Sequence, residues 1–104
     1  MRSTYVAQPY GHRVTFTDTA TEFNALADGM KATGCNGAFS SGKRTDYVVG
    51  VFDKGLWTLV HECVHAASSI LQEAGIDPQS NNAEPLAYLV DHLAAVGAKR
   101  LKLR

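Results

Sequence analysis

Residues 61–65 of the chain read His-Glu-Cys-Val-His. Two histidines four apart on a helix stand on one face with their Cβ atoms about 5–6 Å apart, so both imidazoles can reach one zinc ion at about 2.0–2.1 Å. Glu62 falls one residue round from them, close to such an ion without binding it. That is where a general base must be to take a proton from a zinc-bound water. A chain of this length and composition is expected to hold roughly 0.006 matches to the pattern by accident. The surrounding stretch from Thr58 to Ala67 carries no charge other than Glu62 and no proline, as suits a helix half sunk in a core.

Catalytic zinc takes three protein ligands and keeps the fourth position open. Glu84 is the natural third ligand. It follows His65 after 18 intervening residues, enough to finish one helix, turn and come back. Glu84, Tyr88 and Asp91 share a face at helical spacing, away from the apolar stripe of that segment. Tyr88, Asp91 and His92 are candidates for stabilising the transition state or supporting a ligand, and Tyr47, Tyr10 and His12 are further possible donors.

The elements that must position these groups follow from periodicity. Leu56, Leu59, Val60, Cys63, Val64, Ala67, Ile70, Leu71 and Ala74 recur at threes and fours, which predicts a helix from about Lys54 to Ala74, stopped by Gly75. Both histidines fall on its polar stripe, Cys63 in the middle of its apolar face, and Trp57 at the border of that face, where it is expected in the core. A second helix, capped by Ser80 or Asn82 and tolerating Pro85 in its first turn, buries Ala83, Leu86, Ala87, Val90, Leu93 and Ala94. Upstream, Tyr47 to Phe52 is β-branched and aromatic and reads as a strand, with Asp53 ending it. Residues 33–45 are rich in Gly, Ser, Asn and Thr and read as a loop, poised as a lid. Thr19-Ala20-Thr21-Glu22 is a capping-box sequence opening a short helix to about Met30. The first sixteen residues read as two short strands around Pro9-Tyr10-Gly11.

At 104 residues, 45% hydrophobic and 19% charged, the chain has the composition of one globular domain. Ten basic and ten acidic residues give zero formal charge, so the overall basicity of a nucleic-acid binder is absent and no such partner is expected, despite the basic end from Lys99 to Arg104. No window is apolar enough to span a membrane, and the opening residues carry no leader pattern. Two cysteines, Cys35 and Cys63, suit a reducing compartment, so a cytoplasmic setting is expected.

A glutamate heading the helix that follows an H-E-x-x-H helix resembles the gluzincins, zinc metallopeptidases that include thermolysin and the M1-type aminopeptidases. The short length, with Glu84-Pro85-Leu86-Ala87-Tyr88 after Thr58-Leu59-Val60-His61-Glu62, looks like small single-domain metallopeptidase-like proteins encoded by phages and prophages. The resemblance covers residues 53–92. It implies a minimal zincin-like α+β domain: a small sheet with a backing helix, the active-site helix and a third-ligand helix. It also implies a Zn2+ cofactor held by His61, His65 and Glu84, with Glu62 as the base for hydrolysis of a peptide or protein substrate. The strand bearing Tyr47, Val49 and Val51 would be the edge that takes substrate backbone by strand addition. The sequence departs from the thermolysin pattern four residues after Glu84, where Tyr88 replaces an aspartate. The same residues would equally serve an accessory protein that holds zinc for folding or partner binding without turnover.

Overall fold

A computed structural model of the chain describes every residue except 9, 28–31, 33, 42–45 and 104. It is an α+β arrangement of one four-stranded sheet with helices on both faces. Strands β1 (Arg2–Ala7) and β2 (His12–Thr17) form an antiparallel hairpin. Gly11 turns the chain at φ 74°, a conformation glycine adopts without Cβ strain, and its N–H closes on the Ala7 carbonyl at 2.8 Å.

Helix α1 (Ala20–Leu26) opens as its sequence predicts: the Glu22 N–H donates to Thr19 Oγ1 at 3.2 Å, and the Thr19 hydroxyl donates back to Glu22 Oε1 at 3.1 Å. The helix stops short of the expected Met30: Ala27 already has extended backbone, with ψ 118°, and residues 28–31 lie outside the described residues. Strand β3 (Gly37–Ser41) then pairs antiparallel with β4 (Asp46–Val51), and β4 pairs parallel with β2, giving the order β1-β2-β4-β3.

That order corrects two expectations. β4, with Tyr47, Val49 and Val51, is hydrogen-bonded on both sides and is not an edge. Within the segment read as a loop, residues 37–41 are a strand, and that strand is the edge nearest the helix that carries His61 and His65; residues 33 and 42–45 of the same segment lie outside the described residues. The physical reason is legible in hindsight. Tyr47-Val48-Val49-Gly50-Val51 has no polar residue, as a strand covered on both faces requires. Tyr47, Val49 and Val51 face the core beneath the two long helices that follow in the chain, while Val48 joins Phe23, Ala27 and Ala38 on the α1 side. Gly-Ala-Phe-Ser-Ser lacks β-branched residues, and it is pairing to β4 that makes it a strand. Gly50 admits the rings of Phe52 and Phe23, which a Cβ would meet at 2.6 and 2.9 Å, and not a second backbone.

Helix α2 (Leu56–Glu73) starts beneath Asp53, whose carboxylate accepts from the Gly55 N–H at 2.8 Å and from the Thr58 hydroxyl at 2.7 Å. It ends at Gly75, φ 79°, with the Ile76 N–H on the Leu71 carbonyl at 2.8 Å. Its buried stripe of Leu59, Cys63, Ala66, Ala67, Ile70 and Leu71 packs on β3 and β4. Helix α3 (Glu84–Arg100) packs on α2, buries Leu89, Leu93 and Gly97, and leaves Ala87 exposed, a stripe rotated from the predicted one. Gly97 lets it lie against Phe16 and Leu59, which a Cβ would meet at 2.7 and 2.9 Å. No side chain caps α3. Asn81, Asn82 and Ala83 enter it through left-handed φ of 51°, 59° and 60°, a conformation asparagine tolerates and alanine adopts at a cost.

Candidate metal centre

Helical geometry places the candidate residues as their spacing requires. The ligand atoms of His61, Glu62 and His65 lie within 4.8 Å of one another. The two imidazoles are 5.2 Å apart between centroids and tilted by 74°. In a tetrahedral zinc site neighbouring ligand atoms are about 3.4 Å apart, so the pair fits a metal with small side-chain rotations. Both histidines are exposed and Glu62 is buried.

Burial pushes the Glu62 carboxyl up from its usual range, while His61 and then His65 pull it back down. Its neighbour Cys63 is sealed in the core, and burial raises that thiol to about 12. A thiol so protonated is a packing residue and not a ligand.

Phe39 of the edge strand stacks on His65 with centroids 6.2 Å apart at 19°, and on Tyr47 at 5.8 Å and 17°. Gly37, at the head of the same strand, is where β3 presses on α2: a Cβ there would meet Thr58 Cγ2 at 2.4 Å and Glu62 Cγ at 3.4 Å. Asn36, Gly37, Trp57, Thr58, His61 and Glu62 together line an open cavity of about 370 Å³. On the other flank of the histidine row, Val60 and Val64 of α2 and Ala83, Leu86, Ala87, Val90, Asp91 and Ala94 line an apolar groove of about 500 Å³.

The predicted accessory residues fare differently. Glu84 is exposed and is not in the converged donor group. Its neighbours Ala83 and Ala87 do face Val60 and Val64, so the first turn of α3 lies beside the turn that carries the histidines. Tyr88 and Asp91, expected on one face, line separate grooves: Asp91 the apolar one, Tyr88 a cavity with Gln8, Tyr10, Pro85, Leu89 and His92. His92 is hydrogen-bonded to the hydroxyl of Tyr5 on β1, at the edge of the sheet opposite β3. His12 is buried and its Nε2 pairs with Glu73 Oε2 at 3.0 Å. Tyr47 is buried beside it at 5.5 Å between ring centroids, and burial together with the Glu73 carboxylate raises its phenol. None of Tyr10, His12, Tyr47, Tyr88 and His92 lines the cavity at Glu62.

Trp57, expected in the core, is instead 83% exposed on the rim of that cavity. Asn36, Gly37, Thr58 and Phe39 are contributors that sequence reasoning did not single out. Only the unbroken apolar run of β4 hinted that the edge, and hence these residues, lay elsewhere. Comparison with known proteins finds no matching family model, no matching curated protein and no matching solved structure.

Proposed function

We propose that the chain is a zinc-dependent peptidase, a reading carried by one observation: the His61–Glu62–His65 group sits beside β3, an edge strand of the sheet among the described residues. His61 and His65 would hold the ion, and Glu84 would complete the set by turning its side chain from the adjacent first turn of α3. When bound, zinc supplies a Lewis acid that acidifies water and polarises a carbonyl.

The chain's own groups account for the rest. Glu62 takes a proton from the attacking water as its oxygen bonds to the scissile carbonyl carbon. It then delivers that proton to the amide nitrogen as the carbon–nitrogen bond breaks. The outer edge of β3 offers backbone N–H and C=O groups to an extended substrate, and Phe39 on that strand orients His65 from the side. The substrate is thus a peptide or protein segment in extended conformation.

No helix among the described residues is long and apolar enough to cross a membrane; a reducing cytoplasm is the setting we propose, from a chain that carries only two cysteines. The position of Glu84 outside the donor group favours a second reading, in which two histidines hold zinc for structure or partner binding without turnover.

Metal analysis combined with hydrolysis of a mixed fluorogenic peptide pool separates the two. For the peptidase, Glu62→Gln keeps zinc and loses activity by about 10²–10⁴-fold. Stoichiometric zinc with no turnover in the wild type overturns it in favour of the second reading.

A further inference from the structure

An indole is highly buried on average, because its large apolar area makes exposure costly. Trp57 is nonetheless 83% exposed, the most open of the large hydrophobic residues described. It precedes His61 by one helical turn and shares with it the wall of the 370 Å³ cavity. The opposite wall is the head of the edge strand, Asn36 and Gly37.

The dimensions match those of an added strand. Four residues of helix rise about 6.0 Å, and side chains on one face of a strand recur every 6.6–6.8 Å or so. A peptide lying along β3 with its reacting carbonyl level with His61 therefore sets a side chain of its helix-facing side over Trp57.

The chemistry of the walls selects what that side chain is. They consist of Trp57, Thr58, Asn36 and Gly37 together with His61 and Glu62, and among the described residues they carry no carboxylate other than Glu62. The nearby Asp53 has its oxygens on Gly55 and Thr58. An open shelf with one flat aromatic wall favours a planar ring stacked on it over an aliphatic chain, which gains most from enclosure, or a cation, which would want a free carboxylate.

We infer that Trp57 is a specificity residue that stacks on an aromatic side chain of the substrate, close to the scissile bond. This rests on the peptidase reading for the word substrate, though not for the docking itself.

Trp57 is the chain's one tryptophan, so its emission reports on the shelf directly. Capped heptapeptides of glycine and alanine, with phenylalanine, leucine, lysine or glutamate placed at each position in turn, are titrated into zinc-loaded Glu62→Gln protein. Phenylalanine at one position is expected to shift the emission to the blue and to bind about two- to tenfold more tightly than the other three. In the wild type, mass spectrometry is expected to find cleavage at a fixed distance from that phenylalanine. Trp57→Ala, with circular dichroism as the folding control, is expected to bring the preference to about one, and Trp57→Phe to keep it. Cleavage with no phenylalanine preference and no emission change overturns the inference and leaves the peptidase standing, as does an equal response to lysine or leucine. A phenylalanine-dependent shift without cleavage upholds the docking of an aromatic side chain on Trp57 and removes the peptidase, and with it the placement beside a scissile bond. Neither shift nor cleavage removes both.

Discussion

Replacing Gly37 by alanine tests whether the cleft has the tight wall described. The new Cβ would stand 2.4 Å from Thr58 Cγ2 and 2.8 Å from the Gly50 carbonyl oxygen, whereas carbon atoms in contact sit at about 3.5–4.0 Å. The edge strand must therefore retreat from α2 by about 1 Å. Neither obstacle yields readily: the Thr58 hydroxyl is tied to Asp53 at 2.7 Å, and Gly50 is backbone of a strand paired on both sides. Overpacking of this kind costs about 1–3 kcal/mol. Loss of a glycine's freedom in the unfolded chain returns about 0.4–1 kcal/mol. The net is about 1.3 kcal/mol at the centre of these ranges, which lowers the melting temperature of a domain this size by about 5–10 °C, measurable by circular dichroism. Thr58→Ser removes the obstructing methyl and keeps the hydroxyl for Asp53, so in that background Gly37→Ala is expected to cost about 1 kcal/mol less. A Gly37→Ala protein melting within about 2 °C of wild type, or an unchanged cost in the serine background, would refute the close approach of β3 to Glu62.

Metal-free and zinc-loaded melting curves should differ, and by isothermal titration Glu84→Ala should weaken zinc at least about tenfold; equal affinities would remove Glu84 from the set. Glu73→Ala is expected to lower stability in urea by about 1–3 kcal/mol, because it strips the partner from a buried His12 whose Nδ1 already has no hydrogen-bond partner among the described residues; an unchanged midpoint would show that pair to be incidental. Hydrogen bonds from Thr58 and then Gly55 hold the Asp53 carboxyl below its usual range. Its contribution is therefore fully present above the ordinary carboxylate pKa and lost as pH falls through the lower folded value, so Asp53→Asn should flatten the acid limb of a stability–pH curve. Iodoacetamide at pH 8 should leave Cys63 unmodified in the native protein, its thiol being raised to about 12, as peptide mass mapping would show.

The convergence of His61, Glu62 and His65 was legible in the sequence because it needs only one helix: four residues at 3.6 per turn bring two side chains together wherever that helix is placed. The helix itself was legible from its apolar repeat, as were the capping box at Thr19, the stop at Gly75 and the burial of Cys63, all decided within a turn or two of chain. The sheet order was not, because strand pairing joins residues far apart, and no local pattern says whether Tyr47 to Phe52 has one neighbour or two. Only when β3 took the edge did Gly37, Asn36 and Phe39 arrive at the site, and only the packing of α2 on the sheet and on α3 left Trp57 outside the core. The same holds for α3. Its period predicts an amphipathic helix, but the rotation that buries Gly97 against Phe16 and turns His92 toward Tyr5 is set by packing with α2 and β1. Sequence thus determined the groups that share one helix, whose geometry is local and rigid. Tertiary structure decided which strand and which aromatic ring face them, since those depend on how layers close over a common core.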